Sequence, residues 1–191
     1  LKMSFHGKKI GFLSPEIDKF TYLASLDVAN NDLSELPAEL SNLHYLQGFY
    51  ANGNRLTEFP GPILLLPLLA KVDLSDNRIS VIPEEIVRMD QLTRLSMDKN
   101  LIMEIPVQLY ELENLAILEL AENGLSIIPE GISALKNLKK LDLANNQLTS
   151  LPREIAGMGS HLSEFNIQGN QIPLEEINWF IEAMPSTRIR Y

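Results

Sequence analysis

The sequence predicts an α/β solenoid, with a curved parallel sheet on its concave face and short helices or 3-10 turns on its convex face. Three observations support this fold class. Asparagines recur at intervals of 23 residues, with a last interval of 24; a form of the pattern LxxLxLxxN ends at each of them; and an apolar residue followed by proline comes shortly after six of them. These asparagines are Asn31, Asn54, Asn77, Asn100, Asn123, Asn146 and Asn170.

Each repeat begins with a predicted strand. In the copy that holds Leu118 and Leu120, apolar residues alternate with their neighbours, so one face of the strand is expected to be buried. The chain turns at the asparagine, whose side-chain amide offers both a donor and an acceptor to backbone groups that strand pairing does not reach. The asparagines are therefore predicted to be structural rather than catalytic.

The second half of each repeat brings the chain back to the start of the next strand. The proline in pairs such as Ile128-Pro129 has no N–H and cannot continue a strand. Apolar residues then follow at helical spacing, as in Ile132, Leu135 and Leu138, which predicts a short helix or a 3-10 turn. One turn cannot bury its apolar edge alone, so neighbouring turns are expected to share a continuous core.

The two ends of the chain depart from this pattern, although we expect one domain over residues 1–191. Residues 1–22 are predicted to form a degenerate first repeat, residues 23–172 the regular repeats, and residues 173–191 a C-terminal cap. Leu174, Ile177, Phe180, Ile181 and Met184 fit one face of a cap helix, and Trp179 is expected to belong to the same cap. The start at Leu1, rather than at a methionine, is compatible with an excised or processed piece of a longer protein.

These motifs are identified as those of the leucine-rich repeat family, and the resemblance covers almost the whole chain. The 23-residue length and the Leu-Pro step are similar to a subclass found in intracellular Scribble-like and Ras-pathway scaffolds and in many bacterial proteins. The resemblance implies a non-enzymatic scaffold that binds a protein or peptide on its concave face, without a cofactor. Two alternatives stay open: a recognition domain of a larger signalling protein or enzyme, and a bacterial surface protein that engages host or neighbour molecules.

Composition restricts the function classes further. The net charge of -9, from 25 acidic and 16 basic residues, disfavours nucleic-acid binding. The longest apolar run is broken by Pro67, so no membrane span is predicted. The three histidines lie in different repeats, and no catalytic or metal-binding motif is found, so we expect neither enzymatic activity nor a metal. Calcium is not expected on the column of Asp27, Asp73, Glu119 and Asp142, because an intervening strand separates most of these carboxylates.

The absence of cysteine also bears on location. Extracellular animal members of the family usually close both ends with cysteine-rich caps, which this chain cannot form, and the sequence contains no N-x-S/T sequon. We therefore expect a cytoplasmic protein, with a secreted or cell-surface bacterial protein as the alternative.

The strand face is the first candidate binding surface, because alternate strand residues point away from the core. Its central side chains are Tyr50, Lys71, Asp73, Arg94, Ser96, Asp98, Glu119 and Asp142. Basic residues lie beside acids there, which also fits a solvated face whose charges neutralise each other. We favour a recognition surface, since Tyr and Arg are typical interface anchors.

The return face is the second candidate. Leu64, Leu65 and Leu68 occupy positions that are polar in other repeats, and Val87 and Tyr110 follow Leu64 at 23-residue intervals. An exposed apolar stripe of this kind would serve as a contact patch. We expect a monomer, or a homodimer formed through Leu64 and Leu68. The alternative is that Pro62 and Pro67 reshape this repeat and turn the leucines inward.

Overall fold

The computed structural model describes residues 1–191 and contains one parallel sheet of nine strands, which follow one another in chain order. Equivalent residues of successive repeats lie side by side, so that Val72 pairs with Leu95 and Leu95 with Leu118. The strands are β1 (Lys2–Ser4), β2 (Ser25–Asp27), β3 (Gly48–Tyr50), β4 (Lys71–Asp73), β5 (Arg94–Ser96), β6 (Ile117–Glu119), β7 (Lys140–Asp142), β8 (Glu164–Asn166) and β9 (Arg188–Arg190). The predicted fold class is confirmed.

The return segments are 3-10 helices rather than α-helices. Six of the seven follow a proline in extended conformation, and the first follows Ser14, whose hydroxyl accepts a hydrogen bond from the Glu16 N–H. They span Pro15–Lys19, Ala38–Asn42, Gly61–Leu65, Glu84–Arg88, Val107–Glu111, Glu130–Ala134 and Arg153–Met158. Each is five or six residues long, slightly more than the roughly 3–4 residues that 3-10 geometry usually sustains.

The core runs through the whole array without a break. It is a single cluster of 51 buried residues, in which each turn contributes leucines and isoleucines that contact the turns on either side. The largest fully buried side chains include Phe49, Phe165 and Phe180. Stability therefore depends on contacts between neighbouring turns, as in other solenoids.

The repeated asparagines form a ladder of amides, most of them buried, which confirms their structural role. The Asn100 side-chain N–H group donates to the carbonyls of Leu74, Met97 and Asp98 at 3.0–3.2 Å. Its Oδ1 accepts from the Ile79 N–H at 2.9 Å. Each asparagine thus joins its own turn to the preceding one, as the donor and acceptor inventory of the amide allows.

The residue before each of these asparagines adopts a left-handed backbone conformation. It is glycine at positions 53 and 169, but Lys99 and Glu122 take the same conformation, with φ of 55° and 54°. Left-handed backbone is costly for residues other than glycine and asparagine. The repeated turn is therefore held by its hydrogen bonds and by the core, not by local preference alone.

The C-terminal segment contains the predicted helix and one strand that was not predicted. Helix α1 spans Leu174–Ala183 and buries Ile177 and Phe180, whereas Leu174 and Ile181 are exposed, contrary to the expected helical face. The Arg153 guanidinium stacks 3.8 Å from the Trp179 ring centre. Strand β9 then pairs with β8 and ends the sheet. None of the helices is long and apolar enough to cross a membrane.

Candidate functional site

The concave face carries the first and third residues of each strand, and its most prominent side chain is Tyr50 on β3. The Tyr50 ring folds back over Gly48, where an added Cβ would lie 3.1 Å from ring atom Cε2 and 3.1 Å from the hydroxyl oxygen Oη. Glycine at position 48 therefore makes room for the ring. Side chains with only two χ angles cost little entropy when they are fixed, so the ring is a preorganised contact surface.

A shallow depression of about 360 Å³ opens beside Tyr50. Lys71, Asp73 and Arg94 line it together with the smaller or apolar residues Val72, Thr93, Ala116 and Ile117. Lys71 is exposed, while Tyr50, Asp73 and Arg94 are half-buried. The depression thus combines an aromatic ring, two cations and one carboxylate, which suits an extended segment with polar and apolar side chains.

A buried carboxylate organises the next part of the concave face. Glu119 on β6 accepts hydrogen bonds from Arg94 at 2.8 Å, from the Ser96 hydroxyl at 2.6 Å and from Lys140 at 2.5 Å. Arg94 Nε also donates to the Ser96 hydroxyl at 3.0 Å. We call Arg94, Ser96, Glu119 and Lys140 the Glu119 cluster; it connects β5, β6 and β7 and fixes Arg94 at the rim of the depression.

The protonation states of this cluster follow from its contacts. Desolvation by burial opposes ionisation of Glu119, but hydrogen bonds from Lys140 and Ser96 and the charges of Arg94 and Lys140 outweigh it, so the pKa of Glu119 lies below its ordinary value. The hydrogen bond to Glu119 raises the pKa of Lys140. Glu119 and Lys140 therefore both carry their charges at neutral pH.

Most aspartates of the concave face bind their own backbone. Asp27, Asp73 and Asp142 each accept a hydrogen bond from the N–H two residues later, at 2.9–3.1 Å. Glu119 does not bind the equivalent N–H, that of Ala121, because its carboxylate binds Arg94, Ser96 and Lys140. The Ala121 N–H donates instead to Asp98 of the preceding repeat, at 2.7 Å. These carboxylates stabilise turns of the chain itself, whereas the side chains of Tyr50 and Lys71 make no such hydrogen bonds and are free to contact a partner.

Asp98 is the concave-face acid whose ionisation is most disfavoured. Burial raises the pKa of Asp98 to about 6, with smaller contributions from Glu119, Asp142 and Asp73, while the hydrogen bond from Ala121 acts in the opposite direction. The folded chain therefore binds this proton more tightly than the unfolded chain. The resulting stabilisation is complete below the ordinary pKa of 3.8 and is lost as the pH rises through about 6.

Replacing Asp98 with asparagine is expected to stabilise the chain at pH 7 by on the order of 1 kcal/mol, because the half-buried charge disappears while Oδ1 still accepts from Ala121, and screening by solvent limits the gain. The gain should shrink towards pH 4. Urea unfolding at both pH values measures it, with the exposed Asp90→Asn as the control. An equal gain at pH 4 and pH 7 would contradict the role of ionisation.

The structure corrects the predicted apolar stripe on the return face. Leu65 and Leu68 are exposed, but Leu64 is half-buried against the core, Val87 is half-buried, and Tyr110 is buried. Tyr110 leans across Gly131 of the next turn, where an added Cβ would lie 2.8 Å from ring atom Cδ2. The stripe is therefore interrupted, since the absent side chain at Gly131 lets the Tyr110 ring turn inward.

Tyr110→Phe should keep or raise the free energy of unfolding, by up to about 1 kcal/mol. The Tyr110 hydroxyl is buried without a hydrogen-bond partner, and burial raises the pKa of this phenol. Thermal and urea unfolding of Tyr110→Phe, beside the exposed Tyr45→Phe, measure the difference. A loss of stability confined to Tyr110→Phe would show that the hydroxyl does have a partner.

Two groups of surface residues were not among the sequence candidates. Strand alternation puts Lys140 on the same face as Lys71 and Arg94, but it does not show that Lys140 reaches Glu119 and joins the Glu119 cluster. Val81, Met103 and Val107 are exposed and line one groove at the edge between strands and 3-10 helices. Val81 and Met103 lie between the strands and helices and Val107 is the first residue of its 3-10 helix, so only comparison with the equivalent residues of other repeats could have indicated them. No group of three or more His, Asp or Glu residues is arranged to hold a metal ion.

Most of the chain matches models of one protein family. The family model described as Leucine rich repeat matches residues 67–125 and 113–172, and a second model of the same description matches residues 22–43. No curated protein matches the chain at a significant level.

Solved structures share the fold over most of the chain. An internalin from Listeria monocytogenes is 25% identical with a TM-score of 0.82, over 95% of this chain and 51% of its own. The plant peptide hormone receptor RGFR1, in complex with RGF2, is 28% identical with a TM-score of 0.82, over 98% of this chain and 31% of its own. A leucine-rich repeat protein from Leptospira interrogans is 25% identical with a TM-score of 0.74, over 99% of this chain and 60% of its own. The chain thus spans less than two thirds of each of these proteins.

Proposed function

The chain belongs to the leucine-rich repeat family, and from this premise we propose that it is a non-enzymatic module that binds an extended peptide segment of a partner protein on its concave face. This fold is commonly a protein-binding module, and solenoids commonly bind through their concave surface. The observation that carries the proposal is the Tyr50 ring beside the depression lined by Lys71, Asp73 and Arg94.

The concave face is held rigidly around this depression. Gly48 receives the Tyr50 ring, and Arg94 is fixed by Ser96 and Glu119. A surface whose side chains are ordered before binding loses little conformational entropy when a ligand arrives. Tyr and Arg are also the side chains most enriched among residues that dominate binding energies.

Solved relatives support a peptide as the ligand class. The receptor RGFR1 was solved with RGF2, and the receptor kinase HAESA of Arabidopsis with an N-terminal extended IDA peptide hormone ligand. HAESA is 32% identical over 84% of this chain, which matches 28% of its ectodomain chain. Because such relatives are much longer, a role as the recognition part of a larger signalling protein is compatible with the same peptide-binding surface.

Selection of peptides from a random display library tests the proposal. Peptides selected on the chain should bind Tyr50→Ala/Lys71→Ala at least about tenfold more weakly, because both side chains contact the ligand without a role in folding. The matched control is Tyr45→Ala, which removes an exposed tyrosine outside the concave strands. Equal affinities for all three proteins would overturn the concave-face proposal.

A further inference from the structure

A second surface on the molecule has the features of a docking site, and it lies away from the concave face. Val81, Met103 and Val107 are exposed at 65%, 68% and 64%. All three line one groove of about 680 Å³ between two successive turns, at the edge where the chain passes from strand to 3-10 helix. Single exposed apolar residues are ordinary, but three around one groove form a patch.

The fold itself does not require these apolar side chains. The position of Val81 holds a glutamate or a serine in four other repeats and an isoleucine, Ile127, in a fifth. The position of Met103 holds only serine or threonine in the other regular repeats. The position of Val107 holds a small or charged residue in each of them: Ala38, Gly61, Glu84, Glu130 and Arg153. Because polar or small residues occupy most of these positions in other turns, the three large apolar side chains around this one groove are best explained by a contact outside the chain.

The charges around the groove indicate the chemistry of that contact. Glu84 and Glu104 line the groove, and no lysine or arginine does. The adjacent groove, which shares Val81, is lined by Glu58 and Glu85, again without a basic residue. An anionic rim around an apolar floor repels acidic segments and anionic lipid surfaces and attracts cations.

We propose that the groove of Val81, Met103 and Val107 docks a protein segment whose apolar side chains are flanked by lysine or arginine. The apolar side chains would cover Met103 and its neighbours, and the basic flanks would face Glu84 and Glu104. This surface is separate from the Tyr50 depression, so the module would have two contact sites for partners.

Methionine methyl NMR provides a direct test, because the chain has six methionines and Met103 alone is exposed. Met89, Met97, Met158 and Met184 are buried and serve as internal references. The probes are two short synthetic peptides in which leucines alternate with serines, one flanked by lysines and the other by glutamates. The Met103 resonance should shift saturably with the lysine-flanked peptide and stay unchanged with the glutamate-flanked one.

Two variants separate the groove from the rest of the surface. Val81→Ser/Val107→Ser should weaken the lysine-flanked peptide by about tenfold, whereas the off-patch Tyr45→Ser should bind it like the unaltered chain. The proposal is overturned if the lysine-flanked peptide leaves Met103 unshifted, or if both peptides shift it equally. A Met103 shift that follows protein concentration without peptide would instead identify a second copy of the chain as the occupant and would also overturn it.

Discussion

Replacing Asn100 with alanine is expected to lower the free energy of unfolding by about 3–5 kcal/mol. The Asn100 amide makes four hydrogen bonds, to Leu74, Met97, Asp98 and Ile79, and is itself buried. Alanine would leave the Ile79 N–H without a partner inside the array, and an unpaired buried group costs about 1–3 kcal/mol. The three hydrogen bonds that Asn100 donates would be lost as well, although the Leu74 carbonyl would keep its bond from Asn77. Urea unfolding followed by circular dichroism measures the loss.

The matched control is Asn137→Ala. Asn137 is exposed, and its side chain donates one hydrogen bond, to the Glu113 carbonyl at 2.8 Å. Its loss should cost no more than about 1 kcal/mol, because water can take the place of the amide. Equal costs for the two variants would contradict the claim that the asparagine ladder holds neighbouring turns together.

Replacing Glu119 with alanine is the second large expected effect, a loss of about 2–4 kcal/mol at pH 7. The substitution removes the shared acceptor of Arg94, Ser96 and Lys140 and leaves two cations facing each other across β6. The cost falls short of a fully buried pair because Arg94 and Lys140 are partly exposed to water.

The pH dependence gives this second prediction an independent check. Because the folded-state pKa of Glu119 is depressed, its contribution to stability is present above its ordinary value of 4.5 and is lost as the pH falls through the folded pKa. The unaltered chain and Glu119→Ala should therefore converge in acid. Glu16→Ala is the control, since Glu16 also pairs with a lysine, at 2.7 Å, but in an exposed position where such pairs contribute about 0–1 kcal/mol. A Glu119→Ala cost as small as that of Glu16→Ala would contradict a stabilising cluster.

The fold could be predicted from the sequence because the same apolar and asparagine positions recur in each repeat. The spacing of Leu115, Leu118 and Leu120 with Asn123 defines a strand and its turn, and the repetition defines their stacking. Strand β9 could not be predicted, since Arg188-Ile189-Arg190 holds one half-buried apolar residue and lacks the motif. It forms because β8 offers an unpaired edge next to it.

The sequence could predict which residues share the face of the candidate site, but not how their side chains are arranged on it. Alternation placed Tyr50, Arg94 and Glu119 on the strand face, but it could not show which of these side chains are free. Glu119 is buried because long basic side chains from both neighbouring strands reach it. Tyr50 lies flat because position 48 is glycine, just as Tyr110 turns inward across Gly131. The burial of Glu119 and the orientations of both tyrosine rings depend on contacts between side chains of neighbouring strands and turns. The pattern within a single repeat does not contain this information.

Hydroxyl-radical footprinting of the chain bound to a library-selected peptide tests the central claim most directly. Tyr22 and Tyr45 are exposed elsewhere on the surface, so they provide internal references for Tyr50 within one experiment. We predict that saturating peptide lowers the oxidation of Tyr50 and leaves that of Tyr22 and Tyr45 unchanged. Unchanged oxidation of Tyr50 in the saturated complex would contradict binding on the concave face.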